Sequence, residues 1–211
     1  MRAMTLLLLP CDVLNPRRVD EHFAAEAEAA RAAGLEVALV DHDALARSGD
    51  ADRAVRRVPE GGEAVYRGWM LRAERYAAFA EALRRRGVVP KTGAEQYRRA
   101  HELPGWYRDL AAVTPRSAWT GGDDRADFDR ARRELGAGPA VLRDYTKSMK
   151  HYWHEAAFIP ELGDGDAACV TVDLALREDG AWRVVELGDG QVSDRPASIP
   201  PAALIDLLRE L

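Results

Sequence analysis

Residues 5–9, Thr5 followed by four consecutive leucines, constrain this chain more than any other stretch. A short apolar run with no polar alternation is the pattern of a strand buried on both faces. A helix is expected after it. Pro16 suits a first helical turn, and the Ala- and Glu-rich segment stops at Gly34, a C-cap residue. Residues 36–40 then read as a second strand, ending in Asp41, His42 and Asp43. Strand, helix and strand in this order form a βαβ unit, so the sheet is expected to be parallel and covered by helices.

The same alternation continues. A polar stretch over residues 48–62 leads to a third strand at 64–66, a helix over 73–86 stopped by Gly87, a brief strand at 88–89 and a helix over 94–101. Residues 103–106, Leu-Pro-Gly-Trp, read as a break. A short strand at 117–119 is expected next. Asp123 or Asp124 then caps a helix over 127–135, and a strand follows at 140–142. Residues 169–177 alternate and return through Glu178-Asp179-Gly180 as a hairpin with 182–187, and a terminal helix covers 202–211.

At 211 residues the chain has room for one large or two small domains. Its net charge of −5 weighs against general nucleic-acid binding, and no apolar stretch reaches membrane-spanning length. Cys11 and Cys169 are far apart with no ligand spacing, so both are read as reduced thiols of a cytoplasmic protein.

Four constellations bear on chemistry. The first is the loop after the strand at 140–142. The chain has 30 Lys plus Arg, and only three are lysines: Lys91, Lys147 and Lys150. Two of them sit in this loop with Arg143 and Ser148. Compact ammonium groups on a loop leaving a strand suit nucleotide phosphates. A loop whose charges meet only water is the competing reading.

The second is the acidic hairpin, with Asp173 on one strand, Glu186 near the end of the other and Asp189 just beyond. Such oxygen ligands suit Mg²⁺, and a solvated hairpin is the alternative. The third is Tyr66-Arg67-Gly68-Trp69-Met70, at the C-terminal end of the third strand, where parallel sheets bind ligands. Arg67 could hold a carboxylate or phosphate; in the alternative, Trp69 and Met70 are core and Arg67 is a structural ion-pair partner. The fourth, His151 with His154, has helical ligand spacing but no third ligand, and reads as a packed polar pair.

Residues 66–70, 101–107 with 114–117, 141–160 and 172–192 together resemble one branch of the ATP-grasp superfamily, the branch named for an arginine and two lysines. Asn15-Pro16-Arg17-Arg18 also fits. The resemblance implies an α/β protein. A Rossmann-like N-terminal domain (1–115) precedes an abbreviated α+β ATP-grasp-like domain (116–211). It also implies ATP and Mg²⁺ as cofactors, and a carboxylate–amine ligase acting on small-molecule or peptide substrates. Arg143 and Lys147 would hold phosphates, with Ser148 and Lys150 in the same loop. Asp173 and Glu186 would bind Mg²⁺, and Asp189 or Gln191 would take a further ligand position. Arg67 would lie near the acceptor or the transferred phosphate. A homo-oligomer is compatible with this picture; nucleic acid and membrane partners are not expected.

The chain departs from relatives in two places. Arg143 stands where they usually carry Lys. The chain also passes almost directly from Pro160 to Cys169, where relatives place the segment that holds adenine. The second departure raises an alternative: a catalytically degenerate remnant that acts as a binding or interaction module.

Overall fold

The computed structural model describes residues 5–122, 124–141, 145–146, 158–159, 195 and 199–209. It divides the chain into two compact units, Met1–Tyr97 with Gly188–Leu211, and Arg98–Leu187.

The first unit is a four-stranded parallel sheet of β1 (Thr5–Pro10), β2 (Glu36–Val40), β3 (Glu63–Tyr66) and β4 (Val89–Pro90), in the order β2-β1-β3-β4. The leucine run explains why β1 lies inside. Leu6 and Leu8 face a core with Ala38, Val40, Ala64 and Tyr66, closed by α2 (Ala51–Val55) and α3 (Ala73–Arg85). Leu7 and Leu9 face the opposite core with Val65, closed by Phe23, by Ala27 and Ala30 of α1 (Ala24–Ala32), and by Ile205 and Leu208 of α7 (Pro201–Arg209). Successive side chains point to opposite faces, so a strand between two helical layers must be apolar at every position.

The α/β class and the parallel sheet agree with the sequence reading, but several local boundaries differ. The first helix does not begin at Pro16. Residues 16–18 turn, Cys11 pairs with Val19 in an antiparallel bridge, and Asp20 caps a single 3-10 turn (Glu21–Phe23) that runs into α1. The helix closes at Gly34, whose φ of 78° is the left-handed conformation, with Leu35 N–H donating to Ala30 O at 2.9 Å. The polar stretch over 48–62 contains α2, capped by Asp50, whose side chain accepts from Arg53 N–H at 2.9 Å.

The division between the units at Tyr97 and Arg98 falls within α4 (Ala94–His101), which is followed at once by α5 (Leu103–Leu110) of the second unit. The Leu-Pro-Gly-Trp segment therefore opens a helix instead of ending one. Pro104 sits in its first turn, where no intrahelical N–H is required. No strand forms at 117–119. Ser117 N–H donates to Tyr107 Oη at 3.0 Å, so a side chain satisfies a backbone group that a strand would pair. Asp124 caps α6 (Arg125–Leu135), accepting from Ala126 N–H, and Asp123 lies outside the described residues. Next, β5 (Ala140–Val141) pairs antiparallel with β6 (Phe158–Ile159). The expected hairpin over 169–187 lies outside the described residues. Among the described residues, no helix is long and apolar enough to cross a membrane.

Candidate functional site

In an open parallel sheet, ligand sites form beyond the C-terminal strand ends, where connections leave neighbouring strands in opposite directions. Here that position lies between β1 and β3, because β1 leads to β2 on one side and β3 leads to β4 on the other. The loops at residues 11–20 and 67–72 border it.

The first loop is closed by its own side chains. Asp12 Oδ1 accepts from Leu14 N–H and Asn15 N–H, both at 2.8 Å. These bonds hold the Asp12 carboxyl below the usual carboxylate range, because they favour the charged form. Asp12 N–H donates to Arg18 O and Asp20 N–H to Pro10 O, both at 2.9 Å. The loop tip leaves Leu14 94% exposed. Cys11 is buried beneath it, and burial with nearby Asp41 pushes its thiol up, away from nucleophile chemistry.

The second loop begins with Arg67. Its Nε donates to Glu26 Oε2 and its Nη2 to Glu26 Oε1, both at 2.9 Å. The pair is buried, and the guanidinium carbon lies 5.9 Å from the Phe23 ring centroid. The bidentate grip expected of Arg67 thus closes on a carboxylate of α1. Gly68 follows, and a Cβ there would stand 2.5 Å from Tyr66 Oη and 2.9 Å from Pro10 Cγ. Only glycine lets the backbone pass so close.

Tyr66 Oη donates to Trp69 O at 3.0 Å. His42 Nδ1 lies 3.3 Å from the same oxygen; the hydroxyl proton is already committed, so Nδ1 is the donor there. Burial lowers the His42 pKa, against the opposing pull of Asp43, Asp20 and Asp41. Burial likewise raises the Tyr66 phenol well above its ordinary range, with Tyr97 and Tyr76 adding to it. Trp69 Nε1 donates to Asp20 Oδ2 at 3.3 Å, and Asp20 Oδ1 accepts from His22 N–H at 2.9 Å. The Trp69 ring meets Phe23 edge to face at 5.1 Å and His22 at 4.5 Å, yet the residue stays 37% exposed. The loop end is fixed by Tyr97, whose hydroxyl accepts from Leu71 N–H and donates to Leu71 O, both at 2.9 Å.

Of the residues singled out from sequence for the site, Arg67 is the one described. Arg143, Lys147, Ser148, Lys150, Asp173, Glu186, Asp189 and Gln191 lie outside the described residues, as do His151 and His154. Tyr145, in the lysine-bearing loop, donates its hydroxyl to Thr120 O, and its carbonyl accepts from Leu103 N–H at 3.1 Å. Among the described residues, no group of three or more His, Cys, Asp or Glu side chains could hold a metal. The sequence reading passed over Asp20 and Glu26. Asp20 carried a usable signal as a helix N-cap; Glu26 had none beyond its place on a helix face.

Comparison with known proteins adds three findings. Residues 163–208 match the family model described as ATP-grasp domain, R2K clade family 3. No curated protein matches the chain. Among solved structures, the chain resembles a RimK domain protein ATP-grasp from Sphaerobacter thermophilus DSM 20745, at 21% identity and a TM-score of 0.44, over 83% of this chain and 56% of that one. It also resembles the D-cycloserine synthetase DcsG, at 21% identity and a TM-score of 0.43, over 74% of this chain and 50% of that one. A third is the ATP-grasp ligase PsnB, complexed with precursor peptide PsnA2 and AMPPNP, at 15% identity and a TM-score of 0.39, over 83% of this chain and 66% of that one. The chain thus spans about half the length of the first two structures. The family match supports the ATP-grasp superfamily as the one this chain resembles.

Proposed function

We propose that this chain, with its ATP-grasp match over residues 163–208, binds ATP with Mg²⁺ and joins a carboxylate to an amine. The match carries the reading because the matched segment includes Asp173, Glu186 and Asp189. Their chemistry fits the metal: Mg²⁺ takes one or two carboxylates plus phosphate oxygens in preference to an all-protein cage. Lys147 and Arg143, with Lys150, supply the cations that neutralise phosphate charge during transfer, and Ser148 supplies a hydroxyl donor to a phosphate oxygen. Bound ATP supplies the phosphoryl group that turns a carboxylate oxygen into a leaving group. Arg67 acts at one remove in this reading. Its Nε and Nη2 are taken up by Glu26, so it positions the end of β3.

Calorimetry with Mg·ATP tests the proposal. The native chain is expected to bind with a micromolar Kd. Glu186→Ala and Lys147→Ala should each weaken binding at least ~10-fold, about 1.4 kcal/mol. Unchanged affinity in both variants would overturn the assignment of these residues. No heat at millimolar nucleotide would favour the second reading, a non-catalytic binding module, which the short passage from Pro160 to Cys169 motivates.

A further inference from the structure

We infer that the strand-end surface between β1 and β3 binds a primary ammonium group, held by the Trp69 ring and the Asp20 carboxylate. Three observations carry this. The surface lies at the reversal of strand connections, where parallel sheets take their ligands. Trp69 is immobilised from several sides. Asp20 Oδ2 holds its indole N–H, Tyr66 Oη holds its carbonyl, Phe23 packs against its ring, and Gly68 brings its backbone in close. An indole fixed this firmly would normally be buried, yet 37% of the residue remains open. The negative face of an aromatic ring attracts a cation, most strongly for Trp.

The third observation is the acceptor capacity of Asp20. A carboxylate accepts about four hydrogen bonds. Oδ1 takes one from His22 N–H and Oδ2 one from Trp69 Nε1, and among the described residues no Lys or Arg pairs with Asp20. A compact donor with several N–H groups fits the lone pairs left. The helix start behind Asp20 opposes a cation, but its charge is about half a unit against the full charge of the carboxylate. Arg67, the cation beside Phe23, is matched by Glu26. An anion at the same place would face Asp20 uncompensated. Affinity for ammonium stands on this geometry alone; service as the acceptor-amine site rests on the ligase reading above.

The test uses the full chain without nucleotide, ¹⁵N-labelled at tryptophan, with the Trp69 indole signal assigned by its loss in Trp69→Phe. L-alaninamide should shift that signal saturably in the millimolar range at constant ionic strength, and N-acetyl-L-alaninamide should not. Asp20→Asn keeps the helix cap and should weaken the response at least tenfold. Equal shifts from both amides, or an undiminished response in Asp20→Asn, would overturn the inference. Because no nucleotide is present, failure of Mg·ATP binding and failure of this site read out separately.

Discussion

Arg67 and Glu26 show what a single residue pair contributes. Each is buried, and the two meet through a pair of 2.9 Å bonds, so neither charge is left without its counterpart. Breaking such a pair costs about 3–5 kcal/mol, because the surviving charge is stranded, whereas replacing both partners by apolar groups is often neutral. Glu26→Ala should therefore lower the urea midpoint strongly, and Glu26→Leu with Arg67→Met should recover most of the loss. Gly68 is constrained differently. A methyl at 2.5 Å from Tyr66 Oη must push the hydroxyl off Trp69 O, so Gly68→Ala should cost about 1–3 kcal/mol by chemical unfolding.

His42 gives a pH dependence with a definite sign. Burial depresses its folded-state pKa below the unfolded value of about 6.5. Between the two values the unfolded chain binds the extra proton. The His42 contribution is thus present above the unfolded pKa and is lost as pH falls toward the folded one. Stability should fall as pH drops below about 6.5, and the fall should be shallower in His42→Gln, measured by urea titration at each pH. The sequence marked Arg67 as important but left its partner open, since Glu26 is 41 residues away.

Among the elements, β1 was legible in outline and α7 only as a helix. Four leucines in a row require apolar surroundings on both sides, and the two cores provide them. The C-terminal amphipathic segment shows a helix without saying what it covers. In the structure, Ile205 and Leu208 pack with Leu7, Leu9, Phe23, Ala27 and Ala30. Ile205→Ala should cost about 2–5 kcal/mol by removing a wholly buried side chain from that layer. The Leu-Pro-Gly-Trp segment misled for a local reason. Proline and glycine mark a boundary, but proline is equally at home in a helix's first turn, and composition does not distinguish a stop from a start.

At the scale of the molecule, the first unit is discontinuous in sequence: residues 188–211 return to the unit that holds residues 1–97. A fragment of residues 1–97 leaves Leu7, Leu9, Phe23 and Val65 without their α7 cover. That fragment should expose apolar surface, bind the dye ANS and melt less cooperatively than the full chain. Added peptide 199–211 should reverse part of the dye signal; no difference in dye binding between fragment and full chain would show that α7 is dispensable.

The alternation of apolar runs with capped helical segments was enough to establish an α/β chain with a parallel sheet, because side-chain periodicity and helix punctuation are local properties. The motifs within residues 141–192 resemble ATP-grasp, and the family match over 163–208 agrees. Tertiary structure alone decided that Arg67 turns inward to Glu26, that Trp69 is mounted on Asp20 and Tyr66, and that α7 closes the first unit. Apart from the local Tyr66–Trp69 bond, each of these joins residues far apart along the chain. The partner depends on which surfaces the fold brings together, and no local pattern carries that information.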